Sequence, residues 1–156
     1  MPTRTTRPAT DVRANVAVQQ GNGVASIPLP GPARLRAWAR SAAPKRADIT
    51  LRIVGRAEGR RLNARYRGRD YATNVLSFPY GRLAGRLSGD IVLCAPVIAR
   101  EAREQGKSLD AHFAHLVIHG VLHLRGHDHE KAADAERMER LERAALRRLG
   151  YPDPYA

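Results

Sequence analysis

Strands early and helices late predict an α+β domain, with helices packed on a small mixed sheet of about four strands. Three observations carry this class. Alternating apolar runs are confined to the first 94 residues, helical periodicity takes over from residue 95, and no repeat or linker divides the chain.

The first run, VRANVAV (12 to 18), alternates apolar and polar residues and predicts a strand; a turn-rich GNG and a proline-rich loop follow it. LRAWARSAA (35 to 43) places Leu35, Trp38 and Ala42 on one helical face, and Pro44 ends it. DITLRIV (48 to 54) alternates Ile49, Leu51 and Ile53 with Thr50 and Arg52, the pattern of a half-buried strand. EGRRLNARYRGRD predicts a short helix with Leu62 and Tyr66 four residues apart and arginines on its other faces. TNVLSFPY (73 to 80) and GDIVLC (89 to 94) are two further strands, and the glycine-rich GRLAGRLSG between them is expected to be a mobile loop.

From Ala95 the chain reads as helical. Pro96 suits a first turn, Gly106 interrupts, and Ser108 is placed to cap a second helix running to about Leu124. The last segment carries Ala135, Met138, Leu141, Ala145 and Leu149 at helical spacing, pairs Glu136 with Arg140 and Glu139 with Arg143, and stops at Gly150.

A chain of 156 residues is the size of one domain, so residues 11–156 are read as a single unit behind a flexible basic tail at 1–10. The net charge is +12, and it is unevenly placed: residues 1–100 carry 18 Arg and Lys against 5 Asp and Glu, whereas 101–156 carry 9 against 10. A positive field that dense attracts a polyanion, of which nucleic acid is the commonest. Of the 27 basic residues 24 are arginine, and a composition bias explains that choice as well as function does, but not the excess over acids. The one cysteine, Cys94, closes the apolar run IVLC and reads as an inert buried thiol, compatible with a reducing compartment. No run is long enough for a membrane span and the opening residues lack a signal-peptide core, so a cytoplasmic protein is expected.

All six histidines fall between 112 and 129. At 100° per residue, His112, His115, His119 and His123 share one stripe about 80° wide on a helix that is apolar nearly all round, and therefore central and buried. A single histidine there would be an ordinary hydrogen-bonded core residue; this concentration instead points to metal. His119 and His123, four apart, can chelate one ion from adjacent turns. Gly126 is placed to end the helix and swing the chain back, so the segment reads H-x-x-x-H-x-x-G-x-x-H with His129 as third ligand. His127 could replace His129, although it directly follows the helix-ending glycine. This is the metzincin ligand spacing, with Gly120 where a zinc protease has its catalytic glutamate. Three neutral imidazoles leave a fourth zinc position open, the mark of a catalytic site.

Without that glutamate, peptide hydrolysis falls behind phosphodiester chemistry, in which arginine can stabilise the charged transition state. Arg60, Arg61, Arg65, Arg67 and Arg69 are the candidates for contacts to nucleic acid, and for any one of them a solvated face is the default reading.

HGVLHLRGHDH, RLNARYRGRDYATNVLSFPY, LSGDIVLCAPVIAREAREQGKSLDAHFAHLVIHG and LGYPDPY together resemble the YbeY family of bacterial metal-dependent endoribonucleases, over roughly residues 58 to 155. The resemblance implies one zinc ion on His119, His123 and His129, and an essential arginine at Arg67. It also implies single-strand-acting cleavage in maturation of the small-subunit rRNA 3′ end and ribosome quality control. The partners it implies are the precursor rRNA, the small ribosomal subunit and a ribosome-assembly GTPase. Two positions depart from the family pattern: His127 stands where Tyr is usual and could add a donor near the metal, and Ala72 stands where Pro is usual and loosens a turn.

The general base is left unassigned. Asp128 is the nearest carboxylate in sequence and is equally suited to orienting a histidine; Asp90 reads as structural. Two competing functions stand beside the nuclease: a ribosome-assembly factor that uses zinc only to hold its fold, and, behind it, a zinc peptidase. With aromatics at 5% of residues no stacking platform for single-stranded RNA is evident, and recognition by backbone and shape is expected.

Overall fold

The fold is given by a computed structural model that describes residues 13–127 and 131–156. The expected basic tail, Asp128 and His129 lie outside the described residues.

Among the described residues, four strands and five helices follow in the order β1 (Asn15–Gln20), α1 (Pro32–Ala42), β2 (Ala47–Val54), α2 (Arg56–Arg67), β3 (Val75–Leu83), β4 (Arg86–Cys94), α3 (Ala95–Glu104), α4 (Leu109–Leu124) and α5 (Ala132–Leu149). The sheet order is β1-β2-β4-β3, with β1, β2 and β4 parallel and β3 antiparallel to β4. This is the mixed four-stranded α+β architecture that the patterning predicts.

Side-chain alternation divides the core between the two sheet faces. Ile49, Leu51, Ile53, Ile91 and Leu93 join Leu35, Trp38, Phe113, Val117, Ile118 and Leu146 in the larger cluster, beneath the helices. The opposite parity, with Val54, Leu76, Val92 and Cys94, forms a smaller cluster against Leu62 and Phe78. Cys94 is buried as expected, and burial pushes its pKa up.

α4 is the centre of the molecule, touching α1, α3, α5, β3 and β4. Its start is capped by the Ser108 side chain, which accepts from the Ala111 amide at 3.1 Å. Its end closes in the expected left-handed turn, where Gly126 has φ +93° and the His127 amide bonds back to the Leu122 carbonyl at 3.0 Å. Two glycines let α4 settle on β4. A Cβ on Gly120 would lie 2.8 Å from Ile91 Cγ2, and one on Gly89 would lie 2.5 Å from Leu124 Cδ2.

The stretch 81–89 is a correction. It is no mobile loop: β3 and β4 pair continuously through Leu83↔Arg86, and the chain reverses at Ala84 and Gly85, both with positive φ. That is the two-residue hairpin turn whose twist matches the strands. A bulge between Pro79 and Gly81 shifts the register, and Pro79 is tolerated because β3 is an edge strand.

Candidate active site

The histidine stripe of α4 splits according to what each ring meets. His112 is buried, and its Nε2 lies 3.0 Å from Glu101 of α3. Glu101 also accepts from the Asn74 side-chain amide at 3.0 Å. Burial pulls the pKa of His112 down, partly opposed by Glu101. One turn on, His115 Nε2 is 3.0 Å from Glu142 Oε2, and His119 Nδ1 is 2.5 Å from Glu142 Oε1. The Tyr155 hydroxyl donates to the same Oε2.

Glu142 is the site residue that sequence reasoning missed. It is 0% exposed, in the middle of the buried face of α5 with Met138, Ala145 and Leu146. Burial alone would raise its pKa; the hydrogen bonds from His115, His119 and Tyr155 outweigh that and bring it to about 2. The signal was present: Glu142 stands four residues after Met138 and three before Ala145, an acid inside the apolar stripe. Leu141, assigned to that stripe in its place, is 37% exposed.

His119 and His123 turn toward each other, with Nε2 atoms 3.1 Å apart and ring centroids 4.6 Å apart. A proton on His119 Nδ1, the atom facing the carboxylate, leaves Nε2 as the electron-pair donor. Two such nitrogens at this separation need a proton or a cation between them. The donor set therefore fits a metal ion on Nε2 of both rings, with Glu142 fixing one of them from behind. A second arrangement is also compact: ligand atoms of His115, His119 and Glu142 all lie within 4.8 Å of one another. There, however, both carboxylate oxygens already accept from His115, His119 and Tyr155. Glu142 is therefore engaged on both oxygens in holding the two rings. Both arrangements contain His119.

Both rings line a cleft of about 710 Å³ between the C-terminal end of α4 and the α2–β3 segment. Arg67, Arg69, Tyr71, Asn74 and Ser77 line it together with His119, His123 and His127. Arg67, on the last turn of α2, reaches the edge of β3 with Nη2 3.4 Å from the Ser77 carbonyl. Among the described residues the cleft lining has no carboxylate.

The other predicted arginines diverge. Arg60 makes a bidentate ion pair with Asp70 at 2.8 and 2.9 Å, both side chains exposed. Arg65 lies over the Tyr66 ring, 5.4 Å from its centroid, and Arg61 is exposed outside the cleft. Asp90 accepts from the Tyr80 hydroxyl at 2.8 Å, in keeping with its structural assignment. Gly120 carries a steric reason for the missing protease glutamate, since any side chain there runs into Ile91 of the sheet.

Comparison with known proteins agrees in kind. A family model described as Endoribonuclease YbeY matches residues 34–150. A protein named Endoribonuclease YbeY from Aromatoleum aromaticum is 61% identical over 127 residues, covering 81% of this chain and 82% of that one. One of the same name from Thiobacillus denitrificans is 52% identical, covering 90% and 95%. One from Cupriavidus necator is 49% identical, covering 98% and 78%. A solution structure from Thermotoga maritima, 24% identical, shares the fold with a TM-score of 0.54, covering 89% of this chain and 97% of that one. With three quarters of its length matched by one family model and relatives this similar, the chain belongs to the YbeY endoribonuclease family.

Proposed function

We propose that this chain is a zinc-dependent endoribonuclease that matures the 3′ end of small-subunit rRNA, with His119, His123 and His129 as the metal ligands. The observation that carries the reading is the composition of the cleft: two arginines and the paired histidines share one space, and its described lining has no carboxylate. Such a site attracts anions, and the planar guanidinium forks suit the oxygens of a phosphodiester.

Bound there, zinc supplies a Lewis acid for the reacting oxygens. Glu142 holds the His119 ring at Nδ1, which leaves Nε2 for the metal. Arg67 offers its guanidinium fork to the phosphate oxygens as charge builds on them. The described cleft lining contains no general base, and Asp128 keeps that candidacy. The nucleophile that asks least of the protein is the RNA's own 2′-hydroxyl. Its attack forms the bond from O2′ to phosphorus and breaks the bond to O5′; the proton given up by O2′ to solvent is balanced by one taken up by O5′, leaving a 2′,3′-cyclic phosphate and a 5′-hydroxyl.

The setting we infer is cytoplasmic, on the small ribosomal subunit and with an assembly GTPase. In keeping with it, no helix among the described residues is long and apolar enough to cross a membrane. The test is cleavage of a precursor carrying its 3′ extension, by chelated and zinc-restored protein, with His123→Ala purified in parallel. Zinc-dependent cuts absent from the variant support the nuclease. Equal products from both proteins, with metal content verified, return the chain to an assembly role, and a 5′-phosphate end rules out the 2′-hydroxyl route.

A further inference from the structure

Aromatic residues are scarce in this chain, but the fold gathers them. Among the described residues, six large hydrophobic side chains are exposed, and four of these, Tyr66, Tyr71, Tyr80 and Leu83, fall between the last turn of α2 and the end of β3. The three tyrosines are 55%, 52% and 55% exposed.

These rings are held in place. Tyr66 packs edge to face on Phe78, with centroids 5.2 Å apart and planes at 72°. Tyr80 sits at the bulge of β3 and is tethered by its hydroxyl at 2.8 Å to Asp90, the cross-strand partner of Phe78. Tyr71 lines the cleft itself, with its hydroxyl accepting from Arg69 Nη1 at 3.1 Å. Arginines accompany the rings: Arg65 over Tyr66, Arg69 on Tyr71, and Arg67 reaching Ser77 of β3. An unpaired nucleobase has a π-face for such rings, whereas a duplex keeps its bases stacked inside.

We propose that Tyr66, Tyr80 and Tyr71 form a base-stacking track that guides single-stranded RNA around the outer edge of β3 into the cleft, with Arg65 and Arg69 holding its phosphates. This rests on the endoribonuclease reading and assigns its substrate form to a surface. It also replaces the expectation of recognition by backbone and shape alone: the rings are few, yet they are clustered, anchored and exposed.

The test is fluorescence anisotropy of the full chain, stripped of metal so that nothing is cut, against a labelled twelve-nucleotide single strand and its duplex at two salt concentrations. Tyr66→Ala and Tyr80→Ala should each weaken single-strand binding roughly five- to a hundred-fold, the range for loss of one stacked base. Duplex binding and the salt slope should stay as in the wild type. Tyr66→Phe should bind like the wild type, because the ring and not the hydroxyl is used. Arg65→Ala should instead flatten the salt slope, as loss of a phosphate contact does. Thermal unfolding of each variant separates lost binding from lost fold, and Tyr80→Phe separates the ring from its tether to Asp90. Alanine variants that bind the single strand like wild type, or a wild type that binds duplex equally well, overturn the track while leaving the nuclease standing. A wild type that binds neither RNA, and cuts none when zinc is restored, overturns both.

Discussion

The two ends of α4 carry the same residue in the same stripe, and the fold uses them differently. Toward the N-terminal end, His112 is enclosed by α3 and paired with Glu101. Toward the C-terminal end, His119 and His123 line the cleft with their Nε2 atoms 3.1 Å apart. His115 lies between, bonded to Glu142 and Tyr155. What separates a structural histidine from a candidate ligand here is the neighbouring element: a carboxylate on Nε2 consumes the ring, whereas a carboxylate on Nδ1 presents it.

The largest effect should come from the C-terminal end. His123→Ala should lower zinc affinity by more than about 100-fold, since two ligands do not make a stable site. Competition with a chromophoric chelator reads this directly, with little loss of stability expected from a ring at the cleft edge. Unchanged affinity would move the metal to the His115, His119 and Glu142 cluster.

Glu142→Gln breaks the support from behind. Metal affinity should fall about 10- to 100-fold, as for other carboxylates that orient a ligating histidine. Stability should drop by about 2 to 4 kcal/mol in denaturant titration, because three donors lose a buried charge partner. Loss of stability with metal affinity intact would make Glu142 a core residue only.

Gly120→Ala tests the seat of the helix. The added methyl meets Ile91 Cγ2 at 2.8 Å and should destabilise by about 1 to 3 kcal/mol, relieved in a double variant with Ile91→Ala.

The smallest effect is at His112. Burial holds its folded pKa below the ordinary 6.5, against the pull of Glu101, with Lys107 and His115 adding to the depression. The unfolded chain therefore takes up the proton first as pH falls. The contribution of His112 to stability is full above the unfolded pKa and shrinks as pH drops through about 6.5 toward the folded value. His112→Ala should remove this component from a stability-versus-pH profile while leaving zinc affinity within about threefold. A change in affinity as large as that of His123→Ala would erase the distinction between the two ends.

Much of the fold was legible because burial imposes a period. Ile49, Leu51 and Ile53 alternate and form β2, while the apolar surround of α4 announced its central place. Leu83 and Ala84 were not legible as a hairpin, because an exposed edge needs no apolar alternation and Ala84 adopts positive φ without being glycine. Glu142 escaped for the opposite reason: a charged residue in an amphipathic helix is ordinarily on the solvated side, and only the packing of α5 on α4 turns it inward. Arg67 was separated from its neighbours by family resemblance. The fold brings it and Arg69 to the cleft and occupies Arg60 with Asp70.

By itself the sequence determined the class of the sheet, the central histidine helix, the spacing of His119 and His123 and the basic character of the first two thirds. These follow from local period and local charge, which need no knowledge of distant neighbours. Tertiary structure alone decided which face of His119 meets a carboxylate 23 residues away and why position 120 must be small. Each of these is a contact between elements far apart in the chain. Such contacts are set by how helices and strands pack, and no short window of sequence contains them.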